Sequence, residues 1–297
     1  MTKNKARLMF IISMLIFGTL ALFVKKINVS SGELALYRAI LAAVVIFIYL
    51  LITKQKINLK NIKKELIVIL ISGMAMGFNW IFLFEAYKYT TVSIATLSYY
   101  FAPIIVTLVC PIVFKEKLTT KQIICFIAST LGIVLITDLG HLGNNNHILG
   151  ILLGLTAAVL YATVIILNKY IKSIGGIHRT FIQFLAAIIV LIPYVLFTSG
   201  INIGNLNSDG WVNLLIVGIV HTGITYCLYF TSLKELPGQN AAILSYIDPV
   251  VAILISVFVL SETMSLVQII GGILIITFTL INELKLDIIK MKKEWNK

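Results

Sequence analysis

Ten apolar stretches punctuate the chain, each close to the ~20 residues that an α-helix needs to cross ~30 Å of hydrocarbon at 1.5 Å per residue. Their approximate limits are 7–25, 33–53, 66–87, 91–113, 121–137, 148–168, 179–198, 211–232, 240–260 and 265–283. Ten helices of that length use about two thirds of the 297 residues, so no separate soluble domain of ordinary size remains. The fold class that follows is an all-α polytopic membrane protein. Composition agrees: only 12% of the residues are charged, against about 25% in ordinary globular chains. The first run ends in Lys25-Lys26 with no small-residue cleavage site and further spans follow, so it reads as a membrane helix and not as a signal peptide.

The 24 Lys and Arg against 12 Asp and Glu give a net charge of +12, which by itself would suit a nucleic-acid partner. Hydropathy excludes that, because a phosphate-binding groove needs a soluble scaffold. The bases orient the chain instead, since Lys and Arg near span ends resist translocation. With the N-terminus inside, 20 of the 24 fall in inside segments, three (Lys25, Lys26, Lys88) fall outside and Arg38 lies within a span. Both termini are therefore expected in the cytoplasm, with the chain in the cell (inner or plasma) membrane. Cys110, Cys125 and Cys227 all sit in apolar runs and read as small buried hydrophobes.

The chain repeats itself. A shift of 146 residues superposes Tyr100 on Tyr246, Pro103 on Pro249, Leu108 on Leu254, Glu116 on Glu262 and Gln122-Ile123-Ile124 on Gln268-Ile269-Ile270, with Gly77 on Gly223 and Phe84 on Phe230 upstream. Two five-helix halves result, at 1–140 and 147–284, followed by a basic cytoplasmic tail at 285–297. Five is odd, so the second half must enter from the opposite side. Lys115-Glu116-Lys117 has accordingly lost both bases in its counterpart Ser261-Glu262-Thr263. Inverted repeats mark secondary transporters, whose two antiparallel copies can exchange conformations around a shared midplane site. A duplicated scaffold without transport is the plainer alternative.

Pro103 followed by Glu116, Gln122 and Gly132, repeated as Pro249, Glu262, Gln268 and Gly271, resembles the EamA repeat of the drug/metabolite transporter superfamily in both copies. The resemblance implies ten helices, a central cavity between the halves, and export or exchange of small metabolites, often amino acids. Cys125 stands where the first repeat usually has Gly, and Phe278 replaces the Gly that Gly132 supplies in the first copy, departures that bear on helix packing.

Polar groups at membrane depth are costly, so each raises a functional question. Asp248 and His221 fall near the midplane on consecutive spans and would be able to exchange a proton, coupling transport to protons, or Asp248 would bind a cationic substrate group. The structural alternatives are a histidine bonded to a neighbouring helix and an aspartate capping a backbone break before Pro249. Pro103 and Pro249 should kink their helices. Asn79, Trp80, Tyr99, Tyr100, Tyr161, Tyr226 and Tyr246 make a candidate aromatic-lined substrate site, each being read singly as packing or lipid-belt residues. For Arg38 an outer-leaflet ion pair with Glu85 is the plainer reading and a substrate carboxylate the sharper one. Gly73 with Gly77, and Gly150 with Gly154, read as close-approach faces, and Glu116 and Glu262 as caps or Lys partners.

No G-x-x-x-x-G-K-[ST] loop, H-E-x-x-H or Cys cluster is present, so neither ATP, a metal, a cofactor nor catalysis is implied. The expected protein is a secondary transporter, exporter or exchanger, of small organic metabolites with amino acids first and lipophilic cations second. The lipid bilayer and a small-molecule substrate are its expected partners, with protons as candidate coupling ion, no nucleic acid, and a monomeric or homodimeric state. A membrane-embedded enzyme or a sensor are the competing classes.

Overall fold

A computed structural model describes residues 3–55, 63–114, 119–137, 145–233, 235–236 and 244–283. Lys115-Glu116-Lys117, His141, Lys234 and the tail 285–297 lie outside these. The regular structure among the described residues is all helical, in the order α1 (Lys3–Gly18), α2 (Leu20–Val24), α3 (Ser31–Ile52), α4 (Leu66–Tyr89), α5 (Val92–Tyr99), α6 (Ala102–Phe114), α7 (Thr120–Thr137), α8 (Asn145–Tyr170), α9 (Gly176–Thr198), α10 (Ser208–Leu215), α11 (Thr225–Leu233), α12 (Ile247–Leu254) and α13 (Leu266–Glu283). Among the described residues, seven helical segments are long and apolar enough to cross a membrane, and three apolar helices, Thr120–Ile136, Ile247–Val259 and Leu266–Asn282, are shorter.

The helix starts follow from local chemistry. Ser30 and Glu33 form a capping box on α3, in which the Glu33 N–H donates to Ser30 Oγ (3.1 Å) and the Ser30 N–H donates to Glu33 Oε2 (3.2 Å). The repeated glutamines do the same. The Thr119 N–H donates to Gln122 Oε1 (2.8 Å) and the Gln122 N–H to Thr119 Oγ1 (3.3 Å), while Ser265 and Gln268 exchange the equivalent bonds at 2.9 and 3.2 Å. The motif glutamines are thus helix starters. On the edge of α4 the Ser173 hydroxyl, together with the Lys172 and Ser173 N–H groups, holds the Glu65 carboxyl below its ordinary range, so this clasp is present above the ordinary carboxylate pKa and is lost as pH falls through the lowered one.

Spans bend where the sequence places polar breaks. α1 and α2 part at Thr19, whose hydroxyl donates back to Ile16 O (2.8 Å). α5 ends at Tyr99 and α6 restarts at Ala102, which puts Pro103 in a first turn, where its missing N–H costs little. Pro249 holds the matching place in α12, after a turn at Tyr246. Between α10 and α11, residues Ile216–Ile224 widen to a π-helix, and Ile255–Val259 after α12 do likewise. In the first of these, Thr222 Oγ1 donates to Val217 O (2.8 Å) and Thr225 Oγ1 to Val220 O (2.7 Å). Side-chain hydroxyls so serve the loosened carbonyls at five-residue spacing.

The two halves of the chain do not form separate cores. The most extensive helix contacts run between them: α4 with α8 and α9, α7 with α13, α3 with α9 and the π segment, and α1 with α11 and α12. Small residues permit these crossings. A Cβ on Gly73 would lie 2.4 Å from Gln183 O, and Gly150 and Gly154 abut Thr90 and Ser98. Gly132 and Gly271 meet face to face, a Cβ on either lying 2.7 Å from the other's carbonyl oxygen. Replacing Gly132 by Val is expected to cost about 1–3 kcal/mol by forcing α7 from α13, read as a lower unfolding temperature of the purified protein. An unchanged melting curve would contradict this crossing. Large apolar side chains cover the outside, among them Phe197 (90% exposed), Phe258 (77%) and Ile52 (75%), a surface suited to lipid and not to water.

Candidate functional site

A cavity of about 540 Å³ opens between the halves, reaching from the breaks at Tyr100 and Tyr246 toward the end of the bundle that carries Asn168 and Arg179. Of the residues singled out from sequence, Arg38, Trp80, Tyr99, Tyr100, Pro103, Tyr161, Tyr226, Tyr246 and Asp248 line it. Asn79, His221 and Pro249 lie outside its lining.

Arg38 is the dominant charge. It projects from α3, is 3% exposed, and its Nε donates to Thr222 Oγ1 (2.6 Å), the hydroxyl that the π segment presents. Its guanidinium lies 4.6 Å from the Trp80 ring and 5.5 Å from that of Phe84, in cation–π contact with both. Nη1 is buried with no hydrogen-bond partner among the described residues. The ion pair with Glu85 does not form. Glu85 instead accepts from Ser31 Oγ (2.5 Å) and pairs with Lys88 (3.0 Å), because Glu85 sits on the rim of α4 while Arg38 points into the bundle. An ammonium or guanidinium held in a low-dielectric wall without a carboxylate is a costly arrangement, and it suits a site whose anion arrives from outside the protein.

Asp248, in the first turn of α12, stands on the same cavity. Its Oδ2 accepts from the Tyr100 hydroxyl (2.5 Å), which ties the two broken helices together at their breaks. Around this pair run aromatic contacts: Tyr99 with Tyr161 at 5.2 Å between centroids, Tyr100 with Tyr246 at 6.5 Å, Trp80 with Phe184 at 5.3 Å and Phe184 with Tyr226 at 5.4 Å. Rings with polar tips line a chamber that is apolar for a substrate's body and hydrogen-bonding for its head.

His221 and Asp248 have separate partners. His221 is 2% exposed, its Nε2 lies 3.0 Å from Thr19 Oγ1 and its Nδ1 3.3 Å from Ile216 O, with Phe23 against the ring. That geometry fastens the α1–α2 break to the π segment, the structural reading of this histidine. Asn79 is likewise structural in placement, its Nδ2 donating to Ala157 O (2.6 Å) across α4 and α8.

Sequence reasoning passed over several polar residues on the wall. Gln183 Nε2 donates to Ser72 Oγ (2.6 Å) and to Asn168 Oδ1 (2.8 Å), a network that joins α4, α8 and α9 beside Arg179. Arg179 reads in sequence as one more orienting base, yet it lines the cavity, as does Tyr229. Asn168 and Gln183 carried a signal of their own, being uncharged polar side chains inside apolar spans.

The EamA-like transporter family model matches residues 4–138 and again 148–283. The chain belongs to that family. It is a multi-pass membrane protein of transporter type. An "Uncharacterized transporter YxxF" of Bacillus subtilis is 32% identical over 278 residues, 91% of this chain and 88% of that protein. An "Uncharacterized transporter" of Archaeoglobus fulgidus is 29% identical over 198 residues, 66% of this chain and 68% of its own. A solved crystal structure superposes with a TM-score of 0.63 over 94% of this chain and 97% of that one at 17% identity, a likeness of fold alone.

Proposed function

We propose that this EamA-like protein is a secondary transporter, working as exporter or exchanger by alternating access, whose substrates are zwitterionic metabolites with amino acids foremost. The observation that carries this reading is one cavity bearing Arg38 with an unsatisfied Nη1 on one wall and Asp248 on another, with aromatic rings between them. Arg38 takes the carboxylate and Asp248 the ammonium group, while Trp80, Tyr99, Tyr161 and Tyr226 enclose the side chain. A lipophilic cation satisfies only Asp248 and leaves Arg38 uncompensated, which ranks that class second. Asp248 is also the group through which protons couple to transport.

The same reading takes ten spans as two inverted five-helix repeats, 1–140 and 147–284, with the tail 285–297 and both termini in the cytoplasm of the cell membrane. Its support is a contact pattern that survives exchange of the halves: α4 packs on α8 as α11 packs on α1, and α4 on α9 as α3 on the π segment. The three shorter apolar helices complete the count.

Counterflow of labelled amino acids in proteoliposomes tests the function. Accumulation is expected for amino acids, with none for the matching amino alcohols, which lack the carboxylate, and none for lipophilic cations. Flat traces across a broad amino-acid panel overturn the proposal.

A further inference from the structure

A second chamber of about 630 Å³ lies beyond the central cavity, at the opposite end from Arg179. Its wall comprises the end of α2, the loop to α3 and the last turns of α4, with Lys25, Lys26, Lys88, Phe84 and Tyr87 among them. Tyr87 also lines the central cavity, so one side chain belongs to both walls. Phe84 repeats the pattern one turn earlier: it faces the second chamber while the Arg38 guanidinium of the central cavity sits 5.5 Å from its ring. Tyr87 and Phe84 thus stand where the two chambers approach each other.

A clamp ties α2, α5 and the end of the α12 span together beside these rings. Lys25, at the end of α2, forms an ion pair with Glu262, which follows the α12 span. Glu262 Oε2 accepts from the Val92 N–H (2.7 Å) and from Ser256 Oγ (2.5 Å), and Ser256 Oγ accepts from the Ser93 N–H (3.2 Å). Two first-turn N–H groups of α5 are thus satisfied from the other half of the chain, where a carboxylate also meets the positive end of the helix.

We propose that the second chamber is the far half of the permeation path and that the Tyr87 ring is the gate between it and the central cavity, held shut by the Lys25–Glu262 clamp. The chamber is basic: Lys25 is paired with Glu262 and Lys88 with Glu85, which leaves the Lys26 ammonium without an ion pair among the described residues. A substrate carboxylate released by Arg38 meets that charge next. The proposal rests on the alternating-access reading but not on the identity of the substrate, so its test uses no substrate.

Met76→Cys places a thiol on the wall of the central cavity. A membrane-impermeant maleimide is applied to intact cells and, separately, to inside-out vesicles, with the chain lacking Met76→Cys as background for the native cysteines. In the parent, labelling is expected to be at least tenfold faster from one face, because the state open to the second face is the rarer one. Adding Tyr87→Ala is expected to raise labelling from the second face at least tenfold while the first face keeps its rate, which also shows that the variant is folded. Glu262→Gln, which leaves the ring in place and releases the clamp, is expected to act in the same direction, and Tyr87→Phe, which keeps the ring, is expected to keep the parent's slow second-face rate. Faster second-face labelling with Tyr87→Ala or Glu262→Gln supports the gate. An unchanged second-face rate in both, equal labelling rates of the parent from the two faces or labelling from neither, or a Tyr87→Phe rate as high as that of Tyr87→Ala overturns it. Loss of counterflow with this labelling pattern intact counts against the amino-acid reading alone.

Discussion

Replacing Arg38 by Met is expected to abolish amino-acid counterflow while leaving the protein as stable as before, or more so. The two effects have opposite signs because the guanidinium is buried on an apolar wall with no carboxylate beside it among the described residues. Neutralising such a charge relieves a desolvation cost, and apolar replacements of buried ionic groups are often neutral or stabilising. A substrate carboxylate that loses its buried partner forfeits about 2–5 kcal/mol, or roughly 30-fold to several-thousand-fold in affinity. Arg38→Lys keeps the charge but not the planar fork that reaches Thr222 and stacks on Trp80, so it should recover only part of the flux. Thermal unfolding with and without ligand separates the outcomes: Arg38→Met should melt no lower than the parent and lose the ligand-induced shift. A lower melting temperature with the shift retained would make Arg38 a packing residue.

Asp248→Asn has the second largest expected effect. The amide preserves volume and still accepts from the Tyr100 hydroxyl, so the joint between α5–α6 and α12 should survive. The titratable proton and the negative charge are lost together. Counterflow driven by a pH gradient should fall to the level seen with no gradient, and exchange at symmetric pH should lose its pH dependence. Substrate affinity should drop by about 10-fold to 100-fold with the charge-assisted bond to the ammonium group, which is worth about 1.5–3 kcal/mol. Retained pH dependence would assign coupling to another group. Since His221 is already bonded to Thr19 and faces Ile216 O, His221→Gln is not expected to reproduce the Asp248→Asn phenotype.

The helix starts show how far local signals reach. Thr119 with Gln122 and Ser265 with Gln268 sit three apart, the spacing of a capping box, so their bonds depend on nothing beyond one turn of backbone. The prolines are legible for the same reason, although the chain places them just after a break and not at its hinge. Arg38 shows where such signals stop. Sequence depth put it near Glu85, but partner choice is decided by which way each side chain faces around its helix, and Glu85 faces Ser31 and Lys88. The cavity-lining role of Arg179 was hidden by its position at a span end, where an orienting base has the same one-dimensional signature.

What the sequence by itself determined is the class, the family and the repeat. A bilayer demands ~20-residue apolar helices with all backbone groups satisfied internally, and that demand is written residue by residue along one dimension. The tertiary structure alone decided that the halves interlock, that Gly132 meets Gly271, that Arg38 and Asp248 share one cavity and that Tyr87 lines both this cavity and the next. Those contacts join residues tens to hundreds of positions apart. Between helices in lipid the hydrophobic effect offers no preference among partners, so their choice rests on small-residue fit and a few polar bonds, which only three-dimensional packing specifies.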